Sequence, residues 1–357
     1  MTEEHSSLSR STVLVTGGSG GLASQILQLF SQRGCKSLHS IDLRQPSHLL
    51  NGVTYHLGDL TDVNAMRQIF HGVKPDVVIH TASPKFDTPS HIMYKVNVEG
   101  TRNLVQIAQD ADETYPIILG DQQPEFYVHT KALAEIYVLS QNRRSVDTDT
   151  SPHFLTCAIR PSGIFGVGDL VVLPGILHVY FRGQTKVQIG DNKNLFDFTE
   201  NTNVAYGHYL AAAALVRCQN NLPEDDAKVD GEAFFITNDE PRCFWDFTRL
   251  VWGFAGDTTR PEQVWVISRT WALLLAGLLE WIFWALRLGQ APLTRTKVRL
   301  SCMTRYFCID KAKKRLGYKP LVGLEDGLRT AVEDCVRRRM AAQSTPLNTG
   351  NAKEKGQ

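Results

Sequence analysis

The chain has no excess of charge of either sign. Its 38 Lys and Arg against 37 Asp and Glu leave a formal net charge of +1, so composition offers no basis for binding nucleic acid. It has no paired cysteines. Seven are scattered at positions 35, 157, 218, 243, 302, 308 and 335, without a C-x-x-C spacing. That pattern argues against a zinc ribbon or disulfide framework and for reduced thiols in a cytosol-facing protein. It has no apolar core near its start. Met1 to Ser11 is polar, which reads as a disordered N-terminus and not a signal peptide. Ala341 to Gln357 is polar and lysine-containing, the composition of a disordered tail. Apolar residues are in good supply, at 43% of 357. This suits one large domain, or a domain with a smaller lobe.

The chain is organised around Val13-Leu14-Val15-Thr16-Gly17-Gly18-Ser19-Gly20-Gly21-Leu22-Ala23. The run Val13 to Val15 reads as a buried strand, the glycines as a turn, and Leu22 to Phe30 as a helix. Strand, glycine turn and helix together lay a pyrophosphate on a helix N-terminus, where backbone N–H groups are unpaired and the dipole is positive. Gly17 permits the tight turn, Gly20 the approach of a cofactor, and Ala23 close packing of helix on strand. Gly17, Ser19, Gly20, Gly21 and Leu22 are the candidate contacts to a dinucleotide.

A second strand, Leu38 to Asp42, ends in an acid 22 residues beyond Gly20. A carboxylate there accepts from both adenosine ribose hydroxyls and repels a 2′-phosphate. That favours NAD, with Arg44 able to soften the preference toward NADP. Val53 to Leu57 is a third strand. Asp59 is then placed for the adenine edge and Leu60 beside the ring, while Asp62 suits a cap on a helix from Val63 to Phe70. A fourth strand, Asp76 to His80, runs into Thr81, Ala82 and Ser83, small residues where a dinucleotide crosses the sheet. His80 reads as a satisfied core histidine. A helix from Val96 to about Ala111 follows. Next, Tyr127 and Lys131 stand four residues apart at the start of another helix, hence on one face.

With those pieces in order, the chain resembles the extended short-chain dehydrogenases of the 3β-hydroxysteroid dehydrogenase type. Within them it is most similar to the fungal sterol-4α-carboxylate 3-dehydrogenases. The likeness rests on Thr16 to Ala23, Gly58-Asp59-Leu60, His80 to Pro84, Asn97-Val98-Glu99-Gly100-Thr101, Pro124 to Glu135, Arg160 to Gly166, Asp197-Phe198-Thr199, Gly231 to Thr237 and Leu316 to Pro320. It implies a Rossmann-type doubly wound parallel sheet over residues 12–240 and a smaller substrate lobe over 241–335. It also implies Tyr127 as the base, Lys131 as its electrostatic support and ribose contact, and Pro161 in the loop lining the nicotinamide. A phenol has an unperturbed pKa near ~10, and a neighbouring ammonium favours its ionised form. The implied activity is NAD-dependent oxidation of a 3β-hydroxyl on a 4-carboxysterol or triterpenoid with loss of the carboxylate. The implied partners are the other enzymes of sterol C4 demethylation, and the implied location is the cytosolic face of the endoplasmic reticulum membrane.

In one place the chain departs from this pattern. The family has a further strand before the tyrosine, ending in a catalytic serine or threonine. Here 29 residues separate Asn97 from Tyr127, and no serine occurs from His91 to Tyr127. Only Pro116 to Leu119 could form a short strand, so the sheet strand before Tyr127 is expected to be missing or degenerate. An omitted exon, a decayed paralogue with impaired catalysis, and an enzyme using another hydroxyl all fit. Thr81, Ser83 and Thr114 are the nearest substitutes.

Further on, strands are expected at Thr156 to Ile159, Val187 to Gly190 and Ala233 to Thr237, with helices at Pro174 to Phe181 and Asn203 to Arg217. Trp271 to Leu286 is 16 residues long with one charge, Glu280, between Arg269 and Arg287. About 20 residues are needed to span a bilayer. The three tryptophans at 271, 281 and 284 suit a headgroup interface, so a helix lying in a membrane surface is expected.

Overall fold

The computed structural model describes residues 8–109, 126–143, 154–218 and 227–344. The short strand expected at Pro116 to Leu119, Thr114, Met1 to Ser7 and the last 13 residues lie outside the described residues. In chain order the first half contains β1 Thr12–Thr16, α1 Gly21–Gln32, β2 Ser37–Asp42, β3 Val53–Leu57, α2 Val63–Val73, β4 Val77–His80 and α3 Ser90–Tyr94. A π-helical turn Lys95–Gly100, α4 Thr101–Gln109, α5 Phe126–Ser140 and β5 Cys157–Pro161 follow. The second half contains α6 Val172–Phe181, β6 Val187–Ile189, α7 Asn201–Cys218, β7 Glu232–Ile236, α8 Phe244–Phe254 and β8 Trp265–Ile267. It ends with α9 Arg269–Ala285, α10 Arg295–Cys302, α11 Asp310–Leu316 and α12 Leu324–Ser344.

The chain divides into two compact units. The first comprises Met1–Ile164, Leu195–Arg242 and Thr304–Leu324, and the second Phe165–Asn194, Cys243–Met303 and Glu325–Gln357. In the first unit four parallel strands stand in the order β3-β2-β1-β4. This is the doubly wound arrangement, and both faces are covered. Val13, Val15 and Ile79 pack with Ile26, Leu27 and Phe30 of α1 and with Tyr209 of α7. Leu14 and Ile41 face the other way, onto Met66 and Phe70 of α2 and Leu104 of α4. Burial on both faces explains why β1 reads as an unbroken apolar run and not an alternating one. Leu8, within the polar stretch expected to be disordered, is buried in the first of these clusters.

Among the described residues the four-stranded sheet ends at β4. β5 pairs in parallel with β7, Arg160 opposite Phe235, as a separate two-stranded sheet. No described strand stands between β4 and β5. The helix expected to begin at Val96 instead begins at Ser90 and is interrupted by the π-helical turn. Thr101 Oγ1 donates to the Asn97 carbonyl at 2.6 Å inside that interruption. Wide turns of this kind often mark functional sites. α2 starts as the sequence predicts: the Asp62 carboxylate accepts from the N–H groups of Asn64 and Ala65, a cap contributing about 1 kcal/mol.

In the second unit β6 and β8 pair in parallel. α9 runs from Arg269 to Ala285, with Ser268 as its cap. Its small residues Ala272 and Ala276 are buried against Val298 of α10. Its tryptophans face outward, with Trp271 70%, Trp281 61% and Trp284 76% exposed, while Leu273 packs on the buried side. Core-packing helices have the opposite pattern. No helix among the described residues is long and apolar enough to cross a membrane.

Candidate active site

The glycine turn has little room for side chains. Gly17 adopts φ +82°, and a Cβ on it would lie 2.9 Å from the Ala82 backbone. A Cβ on Gly18 would lie 1.7 Å from Ser40 Oγ. Gly17 N–H donates to the Ile41 carbonyl and Gly20 N–H to the Gly17 carbonyl. Gly20 then caps α1 without a side-chain hydrogen bond, and no acidic residue occupies the first turn around Gly21 and Leu22. The helix therefore presents free N–H groups and an uncompensated positive dipole end. This is the cradle a pyrophosphate requires.

Asp42 ends β2 beside that cradle. Its carboxylate accepts from Ser19 N–H at 3.0 Å and Arg44 N–H at 3.1 Å. A small cavity of about 150 Å³ opens between Ser40, Asp42, Arg44, Tyr55, His56 and Leu57. Asp59 turns back on its own loop and accepts from Thr61 N–H at 2.8 Å. The Leu60 side chain is buried, and its carbonyl accepts from Asn103 Nδ2.

The residues after β4 hold the turn from the other side. Thr81 Oγ1 donates to the Thr16 carbonyl at 2.7 Å, and Ala82 N–H donates to Thr16 Oγ1. His80 is satisfied at both ring nitrogens, by Thr16 Oγ1 at 2.7 Å and Thr101 Oγ1 at 2.9 Å. Burial pushes the His80 pKa down to about 3, and the Lys131 charge adds to the effect. The imidazole is therefore neutral. Because Thr101 gives its own proton to the Asn97 carbonyl, it can only accept from His80. The ring proton is thus on Nε2, and Nδ1 accepts from Thr16.

Asn97 carried part of the family likeness but had no role assigned from sequence, yet it links the two halves of this site. Its Oδ1 accepts from Ser83 Oγ at 3.0 Å, and its Nδ2 donates to Thr130 Oγ1 at 3.1 Å. Thr130 Oγ1 in turn donates to the Tyr127 carbonyl at 2.9 Å. One carboxamide thus ties the loop after β4 to the first turn of α5, where Tyr127 and Lys131 stand on one face. The available signal was the spacing of Asn97 and Thr101, one helical turn apart. Burial lowers the Lys131 pKa to about 8, and no described carboxylate pairs with its ammonium. One turn further along α5, Glu135 forms an ion pair with Arg160 of β5. Pro161 closes β5, and Ser162 Oγ anchors the following loop on the Asp197 carbonyl at 2.9 Å. The structure therefore connects Thr81, Ala82, Ser83 and the turn bearing Tyr127 through hydrogen bonds, and places Gly17, Ser19 and Asp42 together around the glycine cradle.

Residues 13–115 match the NAD dependent epimerase/dehydratase family, and residues 106–267 the 3-beta hydroxysteroid dehydrogenase/isomerase family. The structure of the epimerase Mth375 from Methanothermobacter thermautotrophicus superposes with a TM-score of 0.65 at 18% identity, covering 96% of this chain and 97% of that one. The fold and the glycine cradle define an NAD(P)-binding Rossmann protein. The sterol-4-alpha-carboxylate 3-dehydrogenase (decarboxylating) of Saccharomyces cerevisiae is 38% identical over 89% of this chain and 95% of its own. That of Schizosaccharomyces pombe is 36% identical over the same shares. The chain belongs to the 3β-hydroxysteroid dehydrogenase family, among the sterol-4α-carboxylate 3-dehydrogenases.

Proposed function

We propose that the chain oxidises the 3β-hydroxyl of a 4-carboxylated sterol or related triterpenoid and so releases the C4 carboxylate. The observation that carries this reading is the Tyr127–Lys131 face of α5, tied through Thr130 and Asn97 to the loop where a dinucleotide crosses the sheet. Bound NAD supplies the hydride acceptor. Tyr127 takes the hydroxyl proton as the C3 hydride leaves. Lys131 stabilises the phenolate and holds the nicotinamide ribose. The product is a β-keto acid. Its C4–carboxylate bond breaks to release carbon dioxide, the electron pair enters the ketone as an enolate, and C4 is then protonated. No separate residue is needed for that step. Asp42 supports NAD over NADP, because a 2′-phosphate would face its carboxylate. Substrates from ergosterol synthesis and from fungal triterpenoid secondary metabolism, fusidane-type compounds included, fit this chemistry equally.

The outward tryptophans of α9 support attachment to a membrane surface, which we propose is the cytosolic face of the endoplasmic reticulum. A lipophilic sterol would arrive from that same membrane, where other C4-demethylation enzymes would act on it.

A second reading, an NAD(P)-binding relative without catalysis, is favoured by one observation. Only 29 residues separate Asn97 from Tyr127, and no serine occurs from His91 to Tyr127. Incubating the full chain with NAD and a 4-carboxy-3β-hydroxysterol separates the two readings. NADH and the C4-decarboxylated ketone in equal amounts support the enzyme. Calorimetric NAD binding without NADH supports the relative.

A further inference from the structure

We propose that Ser83 supplies the hydroxyl that holds the reacting oxygen beside Tyr127, an assignment that rests on the dehydrogenase reading above. An alcohol oxygen that loses its proton while its carbon loses hydride passes through a charge-bearing transition state. A donor aimed at that oxygen is worth orders of magnitude in rate. The described threonine hydroxyls of this hydrogen-bond network can be compared with Ser83 one by one. Thr16 is buried and engaged by His80 and Ala82. Thr81 gives its proton to the Thr16 carbonyl at 2.7 Å. Thr101 is buried and gives its proton to the Asn97 carbonyl at 2.6 Å. Thr130 is buried and gives its proton to the Tyr127 carbonyl.

Ser83 differs from all four. It is exposed, three residues beyond the end of β4, where a dinucleotide and its substrate meet a doubly wound sheet. Its single proton has two acceptors within reach, Asn97 Oδ1 at 3.0 Å and the Pro84 carbonyl at 3.2 Å. A hydroxyl with alternative acceptors turns to a third at little cost. Its position is nonetheless fixed, because the Asn97 carboxamide that receives it also grips Thr130 at 3.1 Å, between Tyr127 and Lys131. Ser83 and the catalytic turn are therefore separated by one amide group. In the reaction Ser83 keeps its proton and donates a hydrogen bond. The proton that moves goes from the substrate to Tyr127, and the electron pair leaves C3 as hydride.

The test compares Ser83→Ala, Ser83→Thr and Thr114→Val in the full chain, with NAD and a 4-carboxy-3β-hydroxysterol. NADH formation is followed in single turnover and NAD affinity by calorimetry. Ser83→Ala is expected to slow hydride transfer roughly 100-fold or more, with NAD affinity within about threefold and a larger effect on kcat than on KM. Ser83→Thr should retain most of the rate, and Thr114→Val all of it. Ser83→Ala at the wild-type rate, or a loss confined to Thr114→Val, overturns the assignment while leaving the dehydrogenase reading intact. A wild-type chain that yields no NADH defeats both.

Discussion

His80 Nε2 lies 2.9 Å from Thr101 Oγ1, and the hydrogen bond runs from the imidazole to the hydroxyl. The direction is set by Thr101, whose proton is committed to the Asn97 carbonyl. This contact joins the end of β4 to Thr101 at the start of α4, whose hydroxyl is bonded to the Asn97 backbone, and so steadies the residue whose carboxamide grips α5. Replacing Thr101 with Val would strand an imidazole N–H and a carbonyl in the interior. The expected loss is roughly 2–4 kcal/mol, measured by urea denaturation, with Thr101→Ser restoring most of it. Because the His80 pKa is lowered to about 3, the unfolded chain binds more protons between that value and 6.5. Stability contributed by the neutral ring is complete above about pH 6.5 and declines as pH falls toward 3. Nitrogen-15 shifts of His80 should report the neutral Nε2–H form throughout pH 5–8. A protonated ring at pH 6 would contradict the geometry.

Lys131 has the complementary problem, a half-buried cation drawn away from water. With its pKa lowered to about 8 from 10.5, the folded chain releases a proton that the unfolded chain retains between those values. The penalty is constant below about pH 8 and disappears as pH rises through 10.5. Lys131→Met should therefore be more stable than wild type by on the order of 1–3 kcal/mol at pH 7, a gain that vanishes above pH 10. The same variant should lose NADH formation, since stability and function trade against each other at such a residue. If Lys131→Met is less stable than wild type at pH 7, the ammonium has a partner and the account fails.

Much of this arrangement could be read from residue order because it depends on local chemistry. The strand at Val13 to Val15, the glycine turn, the acid at Asp42 and the cap at Asp62 each follow from a few neighbouring residues. The start of the helix before Asn97 did not follow. Ser90 to Tyr94 carries no strong cap, and Pro89 at its N-cap position makes no side-chain hydrogen bond. The π-helical turn was also not legible, and the contact at its end is tertiary: His80, 21 residues earlier, engages Thr101. Asn97 looked like one polar residue among several until the fold placed Ser83 on one side of its amide and Thr130 on the other. α9 is the reverse case. Its composition led to the expectation of a membrane-surface helix, while only packing showed that the alanines, and not the tryptophans, face inward.

Gly18 and Ser40 form a tight pair with a specific mutational signature. Ser40 Oγ is buried without a hydrogen-bond partner. Ser40→Ala should therefore be neutral or stabilising by up to about 1 kcal/mol. Gly18→Ala would place a Cβ 1.7 Å from that oxygen and should cost roughly 1–3 kcal/mol through overpacking. Combining Gly18→Ala with Ser40→Gly should recover most of that loss, giving a clear coupling in a double-mutant cycle followed by thermal denaturation. Strict additivity would mean that the turn relaxes away from β2 instead.

The exposed face of α9 gives the last prediction. Trp271, Trp281 and Trp284 are each more than half exposed, so removing them sacrifices little packing within the second unit. A triple substitution by Ser should shift Tm by no more than about 2–4 °C, the range of a small stability change. In a lipid interface each ring would leave water over on the order of 100 Å², contributing about 2.5 kcal/mol. Binding to phospholipid vesicles should consequently fall at least ~100-fold in the variant, as followed by flotation. Arg269 and Arg287 bracket the helix, so adding phosphatidylserine to neutral vesicles should strengthen wild-type binding by about 1 kcal/mol per engaged arginine. That increment should disappear in high salt while the tryptophan-dependent part persists, because screening acts on the charges and not on apolar burial. Equal vesicle binding by the wild-type chain and the triple variant would remove α9 from any role at a membrane.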